Sequence, residues 1–219
     1  MTGSKGSIRD LFPFTTLIQK KLSELYVETG MRAIDVARTV ALDVSYTATE
    51  AYAAAVVYEV KSSKVLEVRT GKYDVHFPYI PGYLFMREAP PLLKVLSEVK
   101  TQYDLVLVDA HGRLHPRRAG LATIVGVLIG KATAGVAKSI LTGRIVGRGA
   151  IRPIYIGDQI EGFYVKGSKE FYLSSGNLMS VYEIRDWIKG RNLLYPPELE
   201  EADRISKELR AISSEKNPS

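Results

Sequence analysis

Residues 105–118 read Leu-Val-Leu-Val-Asp-Ala-His-Gly-Arg-Leu-His-Pro-Arg-Arg, and no other stretch limits the fold so tightly. Leu105 to Val108 is an unbroken apolar run, the pattern of a short strand buried on both faces of a helix-covered sheet. It ends in an acid, Asp109, followed by small residues, two histidines and an Arg-Arg pair. Ligands of α/β sheets gather at the carboxyl ends of strands, so this stretch sets a carboxylate beside cations where chemistry usually sits. A plainer reading stands next to it: Asp109 opens a turn, and His111 and His115 line a loop.

The rest of the chain supplies the layers such a strand needs. From Thr15 to Val27 the residues Leu17, Ile18, Leu22, Leu25 and Tyr26 recur with helical spacing, with Thr15 or Thr16 as cap and Gly30 as stop. Residues 39–46 form a second apolar strand carrying Asp43; an unpaired charge there is costly, so it calls for an ion or a buried basic partner. Residues 52–60 and 65–70 read as a hairpin around a polar turn at 61–64, which makes this part of the sheet antiparallel. Pro78 and Pro81 stiffen a loop tip around Tyr79 and Ile80, whose side chains either wedge between stacked bases or pack inward. A short helix is expected over 82–88 and a second from the Pro90-Pro91 pair to Lys100. Beyond the central strand, a helix over 117–129 is rich in small residues and can lie close to the sheet. Residues 133–137 form a further strand with Lys138 at its carboxyl end, either a phosphate-neutralising cation or a surface lysine. Residues 144–176 read as a small antiparallel elaboration. Asn177 caps a helix to Trp187 or Ile188, and Glu198 to Ile212 is the last helix. No repeat or linker interrupts the chain, so a single domain spans 1–219, with 1–7 and 214–219 expected to be disordered.

Composition narrows the chemistry. There is no cysteine, which excludes disulfides, thiolate metal sites and a cysteine nucleophile and fits a reducing cytoplasm. No run of about 18 apolar residues offers a membrane span, and the first seven residues lack the apolar core of an export signal. A net charge of +6 points to a polyanionic partner such as nucleic acid. No Walker-type loop, Rossmann fingerprint or Gly-x-Ser-x-Gly elbow is present, and Gly147-Arg148-Gly149 is too short for a phosphate loop. Three acids on separate elements remain: Asp43, Glu88 and Asp109. Such a set can converge on a hard divalent ion, activate water and stabilise the leaving oxygen of a phosphodiester.

Six motifs in order, Ala41-Leu-Asp-Val-Ser-Tyr46, Pro78-Tyr-Ile-Pro-Gly82, Arg87-Glu88-Ala-Pro90, Val108-Asp-Ala-His-Gly112, His115-Pro-Arg-Arg118 and Gly135-Val-Ala-Lys-Ser139, closely resemble endonuclease V. The resemblance covers roughly residues 33–206. It implies an α/β fold, an RNase H-like mixed sheet with helices on both faces. It implies an endonuclease that recognises deoxyinosine, deaminated adenine, in DNA and hydrolyses the second phosphodiester bond 3′ to the lesion, initiating repair. By motif, Asp43, Glu88 and Asp109 resemble the metal carboxylates, with Mg²⁺ as cofactor and Mn²⁺ also supporting activity. Lys138 resembles the active-site lysine, and His115 a basic residue near the scissile phosphate. Pro78, Tyr79, Ile80 and Pro81 resemble the strand-separating wedge. Gly82, Leu84, Ala110, His111 and Gly112 fall where the family lines a pocket for the flipped base, extrusion being required if the base edge is to be read. Asp203 aligns with the family's fourth metal-proximal residue.

The sequence departs from the family before Asp203, where Leu199-Glu200 replaces a Thr-Arg pair, and at three further places. Ala110 stands where the family has glycine, and Ile124 and Asn177 where it has histidine. These departures leave other readings open: an inosine-RNA ribonuclease, a damaged- or branched-DNA-binding module with weak cleavage, or an RNase H-like nuclease with another target. The expected protein is a cytoplasmic monomer.

Overall fold

The structure, a computed structural model, describes residues 8–216. The expectation for residues 1–7 lies outside the described residues, as does that for 217–219. After a single helical turn at Ile8–Leu11, helix α1 runs Phe12–Glu24. Then come β1 (Arg38–Tyr46), β2 (Glu50–Glu59) and β3 (Lys64–Asp74), followed by α2 (Leu84–Ser97) and β4 (Leu105–Val108). Helix α3 (Leu121–Ile129) and strand β5 (Thr133–Ala137) follow. The chain finishes with β6 (Arg144–Ile145), β7 (Ile151–Ile156), β8 (Gln159–Lys166), β9 (Glu170–Asn177), α4 (Val181–Gly190) and α5 (Pro197–Lys216).

All nine strands join one sheet in the order β3-β2-β1-β4-β5-β9-β8-β7-β6. β1, β4 and β5 are mutually parallel, and the flanking pairs are antiparallel. The expected elaboration at 144–176 is therefore part of the main sheet, because β9 pairs directly with β5. Leu105 to Val108 are each at most 1% exposed. Alternate residues of the central strands face two separate cores. Val40, Leu42, Val106 and Val108 pack with Leu92, Val95, Leu121 and Val125 of α2 and α3. Ala41, Leu105 and Leu107 pack with Ile184, Ile188, Leu199 and Ala202 of α4 and α5. Burying both faces produces the continuous apolar run of β4.

Several local expectations are corrected. Thr15 is no cap: its hydroxyl donates to the Leu11 and Phe12 carbonyls at 3.0 and 3.1 Å from inside α1. Leu25, not Gly30, ends that helix. The buried residues of α1 are Thr15 and Gln19; of the expected apolar face Leu22 packs against the core, while Leu17 and Leu25 stay exposed. Polar residues win that face because it meets backbone carbonyls: Gln19 Nε2 donates to Ala119 O at 2.5 Å and Gly82 O at 3.3 Å. Instead of two helices over 82–100 there is one, α2, with Pro90 and Pro91 inside it. Proline lacks the N–H that would reach the carbonyl four residues back. The Tyr46 hydroxyl donates to one of the carbonyls so orphaned, Arg87 O, at 3.4 Å. α3 starts at Leu121 rather than 117, because residues 112–120 form a closed loop in which Gly120 N donates to Gly112 O at 2.9 Å. Asn177 ends β9 and caps nothing; Ser180 caps α4, accepting from Glu183 N at 3.2 Å. The last helix continues to Lys216, beyond the expected fraying at Ser213.

Candidate active site

β1 and β4 are parallel, with Leu42 registered on Val108. Asp43 lies within β1, one residue past that registered pair, and Asp109 directly follows β4, so the two acids stand side by side where the parallel pairing ends. Asp109 N donates to Leu42 O at 3.3 Å. A third acid comes from α5, which is tied to β1 at both ends. Near its start the buried Glu198 accepts from Thr39 Oγ1 at 2.7 Å and from Arg191 Nη1 and Nη2 at 2.6 and 2.8 Å. Two turns later Ser45 Oγ donates to Ser206 O at 2.6 Å, and Ser206 Oγ donates to Asp43 Oδ2 at 2.5 Å. This double attachment delivers Asp203. One carboxylate oxygen from each of Asp43, Asp109 and Asp203 lies within 4.8 Å of the others.

Glu88, on the first turns of α2, stands outside that triad but close enough to feel it. Burial first, then the charges of Asp43 and Asp109, push its carboxyl up to about 8. Burial also raises Asp43, to about 6, with Asp109 and Asp203 adding to the rise and the Ser206 hydrogen bond opposing it. Burial and mutual repulsion raise two of these four acids, a crowding that a bound cation would relieve. The Lys138 ammonium supplies part of that charge, donating to Asp109 Oδ2 at 2.6 Å and Asp203 Oδ1 at 3.2 Å. Lys207 holds the other Asp203 oxygen at 2.6 Å. The donor set is all oxygen, which suits Mg²⁺ or Mn²⁺.

Beside the acids opens a cavity of about 250 Å³. Tyr79, Pro81, Gly82, Leu84, Ala110 and His111 line it, with Asp109, His115 and Lys138. Pro78, Ile80 and Gly112 do not. Tyr79 projects into solvent at 65% exposure, so it does not pack inward. Gly112 lies behind the wall, where a β-carbon would come within 2.1 Å of Ser175 O. Gly82 turns with φ +82°, and its carbonyl gathers Arg117 Nη2 at 2.6 Å, Gln19 Nε2 and the His115 ring. His115 is only 4% exposed and accepts from Arg117 N through Nδ1 at 3.2 Å. Burial, the Arg117 charge and His111 lower it to about 4, so it is a neutral brace for the Gly82 turn at pH 7. His111 bonds the Ser139 backbone, and its buried Nδ1 has no partner among the described residues.

The departures from the family pattern sit in well-satisfied surroundings. Ala110 is not in the positive-φ region and packs within the core beside α2 and α3. Ile124 is 1% exposed in the same core. Asn177 accepts from Val27 N at 3.0 Å and donates to Gly126 O at 3.1 Å. Ser206, Gln19 and Arg117 escaped the sequence reading. Ser206 carried one clue: it lies three residues after Asp203, on the same helical face.

A mixed sheet with parallel central strands, helices on both faces and acids gathered at the strand ends defines the class: an RNase H-like fold with a carboxylate centre. Comparison with known proteins agrees and goes further. The family model for endonuclease V matches residues 20–203. The endonuclease V of Sulfurisphaera tokodaii is 40% identical over 202 residues, covering 91% of this chain and 94% of that protein. The solved endonuclease V of Streptomyces avermitilis superposes with a TM-score of 0.82 at 27% identity, covering 99% of this chain and 98% of that one. That of Ciona intestinalis, solved with a 24mer DNA containing an inosine followed by a ribo-adenosine, gives 0.84 at 24% identity, covering 93% and 99%. The chain belongs to the endonuclease V family and is a nuclease. Among the described residues no helix is long and apolar enough to cross a membrane.

Proposed function

We propose that this protein is a metal-dependent endonuclease that flips deoxyinosine out of DNA into the cavity beside Asp109 and hydrolyses the second phosphodiester bond on its 3′ side. The observation that carries the reading is the junction itself: a base-sized cavity shares Asp109 with a three-carboxylate cluster, and Lys138 in its wall donates to two of those carboxylates. Asp43, Asp109 and Asp203 would hold the divalent ion, Mg²⁺ or Mn²⁺, with Glu88 beside them. When bound, the ion supplies water activation and charge neutralisation at the phosphate.

The chain's own groups do the rest. Lys138 Nζ, which here neutralises Asp109 and Asp203, would be free to donate to a non-bridging phosphate oxygen once a cation neutralised them instead. Tyr79 and Ile80 enter the stack while Pro78 and Pro81 keep the tip extended. His115, Gln19 and Arg117 fix the Gly82 carbonyl so that the cavity wall is rigid before the base arrives. The water oxygen bonds to phosphorus as the P–O3′ bond breaks, leaving a 3′-hydroxyl on one side and a 5′-phosphate on the other. The cysteine-free composition supports a cytoplasmic setting.

The test is nicking of a labelled duplex with one deoxyinosine, in Mg²⁺ and in EDTA, beside an undamaged duplex. A metal-dependent cut one nucleotide past the lesion supports the reading. A shifted gel band without a cut would show a binding module instead.

A further inference from the structure

A second cavity, of about 260 Å³, opens on the other side of Lys138. Lys138, Asp203 and Tyr195 line it together with Lys169 and Glu200. Lys138 and the acids thus stand between two hollows, the first of which is the proposed base pocket. The acids lining the second are already engaged, Glu200 with Lys169 and Glu170 with Lys166 at 3.7 Å.

The sheet continues this direction. From β4 the order is β5, β9, β8, β7. Ala137 is registered on Tyr172, Lys166 on Glu170 and Val165 on Ile151, so Lys138, the β8–β9 turn and the β6–β7 turn lie along one edge. Four strand spacings make about 19 Å, the length of five or six stacked nucleotides at about 3.4 Å each. At the far end Arg148 is exposed between Gly147 (φ +87°) and Gly149 (φ +107°). Nothing lies within 4 Å of where either glycine's β-carbon would be, so the turn stands clear of the body.

We infer that this edge is the exit track of the cut strand. The nucleotide carrying the scissile phosphate lies over the second cavity, Lys169 exchanges Glu200 for its neighbouring phosphate, and Arg148 takes a phosphate further along. The inference rests on the proposed function, since the base pocket sets the strand's direction. A strand anchored at its base on one side of Lys138 and cut at the acids leaves on the other side. Lys169 and Arg148 are therefore binding groups for DNA 3′ of the cut, and they touch no reacting atom.

The experiment uses deoxyinosine oligonucleotides that end either one or eight nucleotides beyond the scissile phosphate. Binding is read by fluorescence anisotropy in EDTA, and cleavage separately in Mg²⁺. The wild type should bind the long form about tenfold tighter. K169A combined with R148A should bring the long form down to the affinity of the short one, leave the short one unchanged, and lower the salt slope by about 1.4–1.8, two phosphate contacts' worth. Thermal melting checks that the variant, altered only at exposed side chains, is folded. Equal binding of the two lengths by the wild type, or an equal loss on both in the variant, overturns the track. Length-dependent binding without any cut in Mg²⁺ keeps the track and overturns the catalytic reading.

Discussion

Ser206 and Asp43 are 163 residues apart in the chain, and the serine hydroxyl donates to Asp43 Oδ2 at 2.5 Å. Ser206 is fully buried, and its carbonyl is held by Ser45. The bond occupies one carboxylate oxygen and opposes the upward push that burial gives Asp43. S206A should therefore weaken binding of Mn²⁺ by about tenfold or more, since a hydrogen bond to a charged group is worth about 1.5–3 kcal/mol. Electron paramagnetic resonance titration of free Mn²⁺ reads this directly. An unchanged Mn²⁺ affinity with a lower melting temperature would make the serine a packing residue only.

The Glu88 carboxyl sits at about 8 against an ordinary 4.5. Its folded-state value is raised, so the stability it contributes is complete below about pH 4.5 and is lost as pH rises through 8. Replacing it by glutamine removes that loss. E88Q should stabilise the ion-free protein at pH 8 by on the order of 2–4 kcal/mol relative to wild type, and the gain should vanish by pH 4.5. Added Mg²⁺ should raise the wild-type melting temperature more than that of E88Q. Denaturant melts at the two pH values in EDTA decide it.

His115 works with the opposite sign. Its folded value is lowered to about 4 from 6.5, so the unfolded chain takes up a proton that the folded one refuses between those values. Stability falls as pH drops from 6.5 to 4, by about 3 kcal/mol. H115N, which can still donate to the Gly82 carbonyl, should flatten that part of the profile. The difference between the two stability curves isolates the histidine from the acids that titrate in the same range.

Tyr79 is exposed at the tip of its loop and supports nothing in the core. Y79A should melt within about 0.5 kcal/mol of wild type. A wedge matters only where strands must be parted, so KM on a deoxyinosine duplex should rise by about tenfold or more while cleavage of the single strand is nearly unaffected. Equal losses on both substrates would assign the tyrosine a contact other than strand separation.

Much of the fold was readable because its signals are local. The continuous apolar run of Leu105–Val108 announced a strand covered on both faces, and the polar turn after Val60 announced the hairpin. Asp109 and Lys138 were visible because each directly follows an apolar strand, and Asp43 because it is a charge carried inside one. Asp203 was not readable this way: on its own helix it is a surface acid, and only the ties of Glu198 and Ser206 to β1 bring it to the others. The inward face of α1 was misread for the same reason. Gln19 is buried because the carbonyls of Gly82 and Ala119, remote in the chain, meet it there, and hydrophobic periodicity is blind to such partners. The two helices inferred around Pro90 merged because Tyr46, on another element, satisfies a carbonyl that the prolines leave free.

The acids come from the first strand, the central strand and the final helix, and this sets a schedule. The N-terminal parts of a chain leave the ribosome first, while the domain completes its fold as a unit. A nascent chain that has already paired β1 with β4 holds Asp43 and Asp109 but neither Asp203 nor the Ser206 tether. The three-carboxylate cluster is therefore complete only when α5 docks.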